Sequence, residues 1–407
     1  MYISRLLETT LQKALKTFPA TFVGGPRQSG KTTLAKHVLG KTHNYVSLDE
    51  LDIRSFAVDD PRGFLERYPP PLIIDEIQYA PQLLPYIKAR IDESRKPGQW
   101  VITGSQQWAL MRNISESLAG RVAVLSLYPF ALEEMTKNMR LQFAEAISFT
   151  KHLTEQKEVH KKSVSHGNWL LNGGYPELFV NRNVSRKLWF SSYVQTYIDR
   201  DVRGNLKSAH LNEFEKFIKL LAARTAQVLN YSSLAREIGV TVPTVKAWVS
   251  LLEASGIIYL LPPYYRNYGK RLIKSPKCYF MDTGLVCFLV GLQNSEHLLN
   301  GPMAGALFET ACVTQFIKRF SALVDPCGLY FWRSTDGLEV DLLIEAAETI
   351  IPIEIKLSST INRQHTQALQ KWINVSGDSS DIGLILSCSR QFGLVATGIY
   401  NCHYSWL

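Results

Sequence analysis

Residues 20–39 read ATFVGGPRQSGKTTLAKHVL. They form an apolar strand, a glycine-rich turn and a run of helical character, in that order. No other stretch restricts the fold as strongly. The spacing of Gly25, Gly30, Lys31 and Thr32 fits GxxxxGK[ST]. Glycines in such a turn let backbone N–H groups close around phosphate oxygens, and the helix behind adds the positive end of its dipole. Lys31 then reaches the β- and γ-phosphates, and the Thr32 hydroxyl is a magnesium ligand. Gly25, Pro26, Arg27, Gln28, Ser29, Gly30, Lys31, Thr32 and Thr33 are the residues expected to hold ATP.

A phosphate cradle needs an acidic partner at the end of a neighbouring strand. PLIIDEI at 71–77 supplies it. Asp75 is expected to hold Mg2+ through water and Glu76 to polarise the attacking water, a pairing suited to hydrolysis. A third strand, QWVITGSQ at 99–106, ends in Ser105 and Gln106, either of which can sense the γ-phosphate. Arg121, in SLAGRVAVL, is either an arginine finger for a neighbour's nucleotide or a surface arginine capping a turn.

GGPRQSGKTTL, LIIDEIQ, ITGSQ, SLAGR and GGYPE (173–177), in this order, resemble the AAA-type ATPases fused to a DUF4143 domain. The resemblance runs along essentially the whole chain. It implies an AAA+-like P-loop core over residues 1–135, in an α/β protein. Because relatives of that core donate an arginine between subunits, it also implies a homo-oligomer.

At 407 residues the chain is too long for one core and long enough for two or three domains. Its net charge of +9 is concentrated. Residues 160–275 hold 17 Lys and Arg against 7 Asp and Glu, a surplus of ten that carries the whole excess. A basic region of this kind suggests a polyanionic partner, DNA above all, although lysines also solvate ordinary surfaces. Residues 136–225 read as a helical lid and linker, with Arg200 and Arg203 as alternatives to Arg121 near the nucleotide. Residues 226–300 read as a winged helix. SLAREIG ends at Gly239, Pro243 opens a second helix, and a strand and a basic hairpin follow. In a DNA reader Thr244 and Lys246 face the groove, and Arg266, Lys270, Arg271 and Lys274 contact phosphates. Tyr264, Tyr265 and Tyr268 then stack or pack. The competing reading is a winged helix used as a lid or protein-docking module.

Residues 301–407 read as helix (305–320), three strands (328–334, 338–345, 350–358), helix (363–373) and strand (382–389). That order resembles the core of the PD-(D/E)xK nuclease fold, giving a C-terminal α/β restriction-nuclease-like domain. In IPIEIK, Ile353 and Ile355 point to one face while Glu354 and Lys356 point to the other. Asp341 on the preceding strand can meet them. Asp341 and Glu354, assisted by Glu309 from the helix, are expected to ligate Mg2+, with Lys356 orienting or deprotonating water. The bland alternative is a ladder of charge pairs.

No apolar run approaches the roughly 18 residues of a membrane helix. The amino terminus lacks a signal peptide's apolar stretch, so a cytoplasmic protein is expected. The six cysteines form no CxxC pair, which favours reduced, buried thiols over zinc. The expectation is an ATP-hydrolysing enzyme coupled to a basic winged helix and a nuclease-like domain acting on DNA. The alternative is a nucleotide-dependent protein-docking switch whose nuclease-like part does not cleave.

Overall fold

The fold was obtained as a computed structural model, which describes residues 2–105, 114, 116–181, 183–197, 211–265, 274–325, 327–376 and 382–407. The chain divides into two compact units. One comprises Met1–Phe130 with Ala254–Gly256 and Ser321–Val324, and the other comprises Ala131–Glu253, Ile257–Phe320 and Asp325–Leu407. The three segments expected after residue 135 thus lie largely within one unit.

In the first unit five short apolar runs become parallel strands: β1 (Ala20–Gly24), β2 (Asn44–Ser47), β3 (Leu72–Asp75), β4 (Trp100–Thr103) and β5 (Val122–Ser126). Their order is β2-β3-β4-β1-β5. Helices cover both faces, so the central strands are apolar throughout rather than alternating with polar residues. Leu72, Ile74 and Ile102 point into one core, shared with Phe22, Phe64 and Ile87. Ile73 and Val101 point to the other face, onto Ala35 and Leu39 of the helix Lys31–Leu39. The order also sets the chemistry. β4 lies between β1 and β3, so the carboxyl ends of these three strands meet at one edge, where α/β sheets bind ligands.

The second unit begins in helices. Leu211–Ala223 packs Phe214 and Phe217 against Trp248 of Val242–Ala254, with ring centroids 5.4 and 5.2 Å apart. Tyr231–Ile238 and Val242–Ala254 form a helix–turn–helix, and Gly239 makes the turn at φ 84°. A three-stranded antiparallel sheet follows from β6 (Gln227–Val228), β7 (Ile258–Leu261) and β8 (Lys277–Phe280), in the order β6-β8-β7. Residues 266–273, which carry Arg266, Tyr268, Lys270 and Arg271, lie outside the described residues, as do Arg200, Arg203 and Gln106.

The carboxyl-terminal part is a six-stranded sheet ordered β13-β14-β12-β11-β10-β9. Its strands are β9 (Gly328–Arg333), β10 (Glu339–Ala346), β11 (Thr349–Lys356), β12 (Gly383–Ser387), β13 (Gly393–Ala396) and β14 (Ile399–His403). The expected helix–strand–strand–strand–helix–strand succession is present, with helices Ala304–Leu323 and Gln367–Ser376. β13 and β14 extend it beyond residue 389. Val340, Leu343, Leu369, Trp372 and Ile385 build one core face, against which Tyr264 packs. Tyr264 meets Tyr330 and Trp372 edge-on, so it belongs to the core.

Candidate functional sites

Gly25 opens the phosphate loop at φ 146°, where a Cβ would fall 2.1 Å from the Leu127 carbonyl oxygen. Only glycine fits there. Gly25→Ala is expected to cost about 3 kcal/mol, through backbone strain and a hard contact together. Denaturant titration and nucleotide binding both report it; unchanged stability would refute the tight passage. Gln28 is left-handed at φ 60°, and Gly30 at φ 95° precedes the helix that Lys31 begins. The Lys31 ammonium is buried and donates to the carbonyls of Gly25 (3.1 Å) and Pro26 (2.9 Å). Arg27 is half-buried and Thr33 exposed. The buried Ser29 hydroxyl finds no partner among the described residues.

Asp75, at the end of β3, receives the Thr32 hydroxyl at 2.9 and 3.1 Å. It also accepts from Tyr45 at 2.8 Å and from Thr103. Burial, then the bond to Asp75, pushes the Tyr45 phenol upward, so it stays protonated and donates. Glu76 follows with φ 60° and ψ 48°, a left-handed conformation that a non-glycine residue holds at a cost. That turn carries its side chain off the strand line, where Gln78 Nε2 donates to it. Tyr45, Thr103, Gln78 and Arg5 escaped the sequence reading. Arg5 donates to the Ser29 carbonyl at 2.8 Å and the Tyr128 carbonyl at 2.6 Å, bracing the phosphate loop from below.

The donor set fits Mg2+. A hydroxyl and a carboxylate sit within hydrogen-bond reach beside the loop, and both are oxygen donors of the kind the ion takes with phosphates. Ser105 is buried with its hydroxyl unpartnered among the described residues. Arg121 is bidentate on Asp92, at 2.6 and 3.1 Å.

The second cluster lies in the other unit. The β10–β11 register pairs Leu342 with Ile353, which sets Asp341 opposite Glu354. The helix Ala304–Leu323 brings Glu309 to the same place. Lys356 bonds Glu354 at 2.5 Å and lies 3.6 Å from Asp341, whose carboxylate also accepts the Ile355 N–H at 2.8 Å. Glu309, Asp341, Glu354 and Lys356 therefore come together as their spacing predicts.

A fifth group joins them. Lys277, on β8, is 2% exposed. Its ammonium contacts Glu309 at 2.9 Å, Asp341 at 3.9 Å and also Glu339. Tyr279, two residues along the same strand face, donates to Glu309 at 2.6 Å. Burial, then the Asp341 charge, raises Glu309 to about 7 and Glu354 to about 8. Burial works to lower Lys277, but Tyr279 and the carboxylates outweigh it and hold the ammonium charged.

As folded, this donor set does not fit a divalent ion. One oxygen of each acid is already engaged: Glu309 Oε1 by the Lys277 ammonium and the Tyr279 phenol, Asp341 Oδ2 by the Ile355 N–H and Glu354 Oε1 by Lys356. A dication would have to enter beside both ammonium groups. Among the described residues no three acidic, histidine or cysteine side chains gather in a metal-holding arrangement. The signal in the sequence was a lysine opening the otherwise apolar strand KCYF, since a buried charge requires a counter-charge.

The parallel sheet with its phosphate loop and acidic strand end defines a P-loop ATPase domain of the AAA type. Residues 17–136 match the AAA domain family AAA_14, residues 304–397 match the domain of unknown function DUF4143, and residues 165–296 match another, DUF8612. The chain thus joins an AAA domain to a DUF4143 domain. It is 29% identical over 362 residues to an uncharacterized protein of Mycobacterium tuberculosis, covering 88% of this chain and 75% of that one. An uncharacterized protein of Haemophilus influenzae is 22% identical over 306 residues, covering 73% and 68%. Among solved structures, the Walker-type ATPase of Pyrococcus abyssi aligns with a TM-score of 0.44 at 14% identity, over 70% of this chain and 94% of that one. No helix among the described residues is long and apolar enough to cross a membrane.

Proposed function

We propose that this protein hydrolyses ATP with Mg2+ and uses the cycle to act on DNA through its basic helix–turn–helix unit. The observation that carries the ATPase is the Thr32–Asp75 pair with Glu76 turned aside from it in a left-handed backbone. Backbone N–H groups of residues 27–32 cradle the phosphates, and Lys31 leaves its loop carbonyls for the γ-phosphate. Asp75 orients Thr32. Glu76 holds the attacking water and accepts its proton as the bond to the ADP oxygen breaks. Thr32 and Asp75 would hold Mg2+, which would supply charge neutralisation for the phosphoryl group in transfer. Ser105, two residues past the end of β4 with a buried hydroxyl unpartnered among the described residues, is our candidate for the γ-phosphate sensor. In a homo-oligomer Arg121 would exchange Asp92 for a neighbour's phosphate.

DNA contact rests on the basic surplus of residues 160–275 and on the helix–turn–helix with its antiparallel sheet, which we read as a winged helix. Lys246 and Lys274 are exposed on it. Cleavage by Asp341, Glu354 and Lys356 is not part of this reading, because their neighbourhood is closed by Lys277.

Phosphate release and duplex binding, measured on the purified chain across salt, test both halves. Wild type should release phosphate and Lys31→Ala should not. DNA affinity should fall with salt at a log–log slope of about −3 to −5, as for a few phosphate contacts. ATP turnover with no salt-sensitive DNA binding would leave the protein-docking switch as the function. No turnover would remove the ATPase.

A further inference from the structure

We infer that Lys277 is a resident cation that takes the place of a divalent metal in the Glu309–Asp341–Glu354 cluster, so that this nuclease-like site binds no metal as folded.

Placement comes first. Lys277 belongs to β8, the middle strand of the sheet that follows the helix–turn–helix, whereas the acids belong to the helix Ala304–Leu323 and to β10 and β11. Its ammonium lies between the helix carboxylate, Glu309 at 2.9 Å, and the strand carboxylate, Asp341 at 3.9 Å. A metal bridging helix and strand needs that same position. Lys356 is the lysine that the E-x-K spacing supplies; Lys277 is additional to it.

Charge points the same way. Glu309, Glu339, Asp341 and Glu354 face two ammonium groups. Adding a dication beside two fixed ammoniums is repulsive in a site this buried, and Mg2+ demands near-octahedral oxygens at about 2.1 Å. Glu309 is also held by the Tyr279 phenol at 2.6 Å, which fixes the oxygen that Lys277 uses. Of the cluster's oxygens, Glu354 Oε2 is buried without a partner among the described residues, and it sits on the carboxylate that Lys356 already holds through Oε1. The arrangement explains why a chain can keep acid, acid and lysine in nuclease order without the ion that such order serves. The cluster fastens the helix–turn–helix sheet to the carboxyl-terminal sheet.

Mn2+ binding to the nucleotide-free full chain, followed by electron paramagnetic resonance, tests the inference. Binding that disappears on adding Glu354→Gln is assigned to the cluster, which separates it from the phosphate loop. Wild type should show no such binding. Lys277→Met should gain it, at least about tenfold tighter than wild type, the scale on which near neighbours tune metal affinity. Wild-type binding that Glu354→Gln abolishes overturns the inference. So does a folded Lys277→Met that binds no better than wild type. Should Lys277→Met not fold, Lys277→Gln repeats the measurement. The thermal midpoint of wild type in Mn2+ decides independently: a rise lost in Glu354→Gln refutes it, and no such rise supports it. Neither outcome depends on whether the protein hydrolyses ATP.

Discussion

Glu76→Gln is expected to stop ATP turnover while ATP stays bound. The glutamine keeps the size of the side chain and can still pair with Gln78, but it cannot accept the proton of the attacking water. General-base catalysis contributes roughly 10²- to 10⁴-fold, so phosphate release should fall by about a thousandfold. The fall should appear in kcat, with nucleotide affinity changed little, because the Glu76 side chain is held by Gln78 and its role is with the attacking water rather than with the phosphates. Lys31→Ala should behave differently and lose binding and turnover together, since its ammonium serves the ground state as well as the transition state. Fluorescent-nucleotide titration beside a phosphate-release assay separates the two. If Glu76→Gln turned over within about tenfold of wild type, another group would be the base, and Asp75 would be the remaining acid in place.

Which residues the sequence disclosed follows from where their information lies. The phosphate loop is local: the conformations of Gly25 and Gly30 and the helix start at Lys31 all fall within one short window. Asp75 and Glu76 were legible because a buried parallel strand that ends in acid is short and sharply bounded. Thr103 and Tyr45 were not, since each reaches Asp75 only through the strand order, with β4 and β2 laid on either side of β3. Arg5 braces Ser29 from 24 residues away, and a lone arginine near the amino terminus carries no signal of that. The nuclease-like pattern was legible through alternation in β10 and β11. β13 is a half-exposed strand of four residues and leaves no apolar alternation to read, so the sheet's far edge was missed. Lys277 lay within a segment read as a hairpin with basic residues at its tip. Its real setting depends on a helix and two strands that come roughly 30 to 80 residues later.

Lys277 also sets a large stability effect in the second unit. Removing one member of a buried ion pair leaves an uncompensated charge and typically costs about 3–5 kcal/mol. Lys277→Met is therefore expected to destabilise that unit by about this amount, because Glu309 and Asp341 lose the ammonium between them. Glu309→Gln should cost less, since its amide oxygen can still accept from Tyr279 and Lys277 retains Glu339 and Asp341. The double variant is the informative one. With the ammonium and one carboxylate both gone, the buried charges are closer to balance, and the two replacement side chains keep about the original bulk. Its loss should fall short of the sum of the single losses by about 1–3 kcal/mol, the range for residues in one buried network. Urea titration followed by near-ultraviolet circular dichroism, compared across the four proteins, measures this. Strictly additive losses would mean that Lys277 and Glu309 are neighbours without being partners, and the cluster would then be held together by Lys356 and the strand register alone.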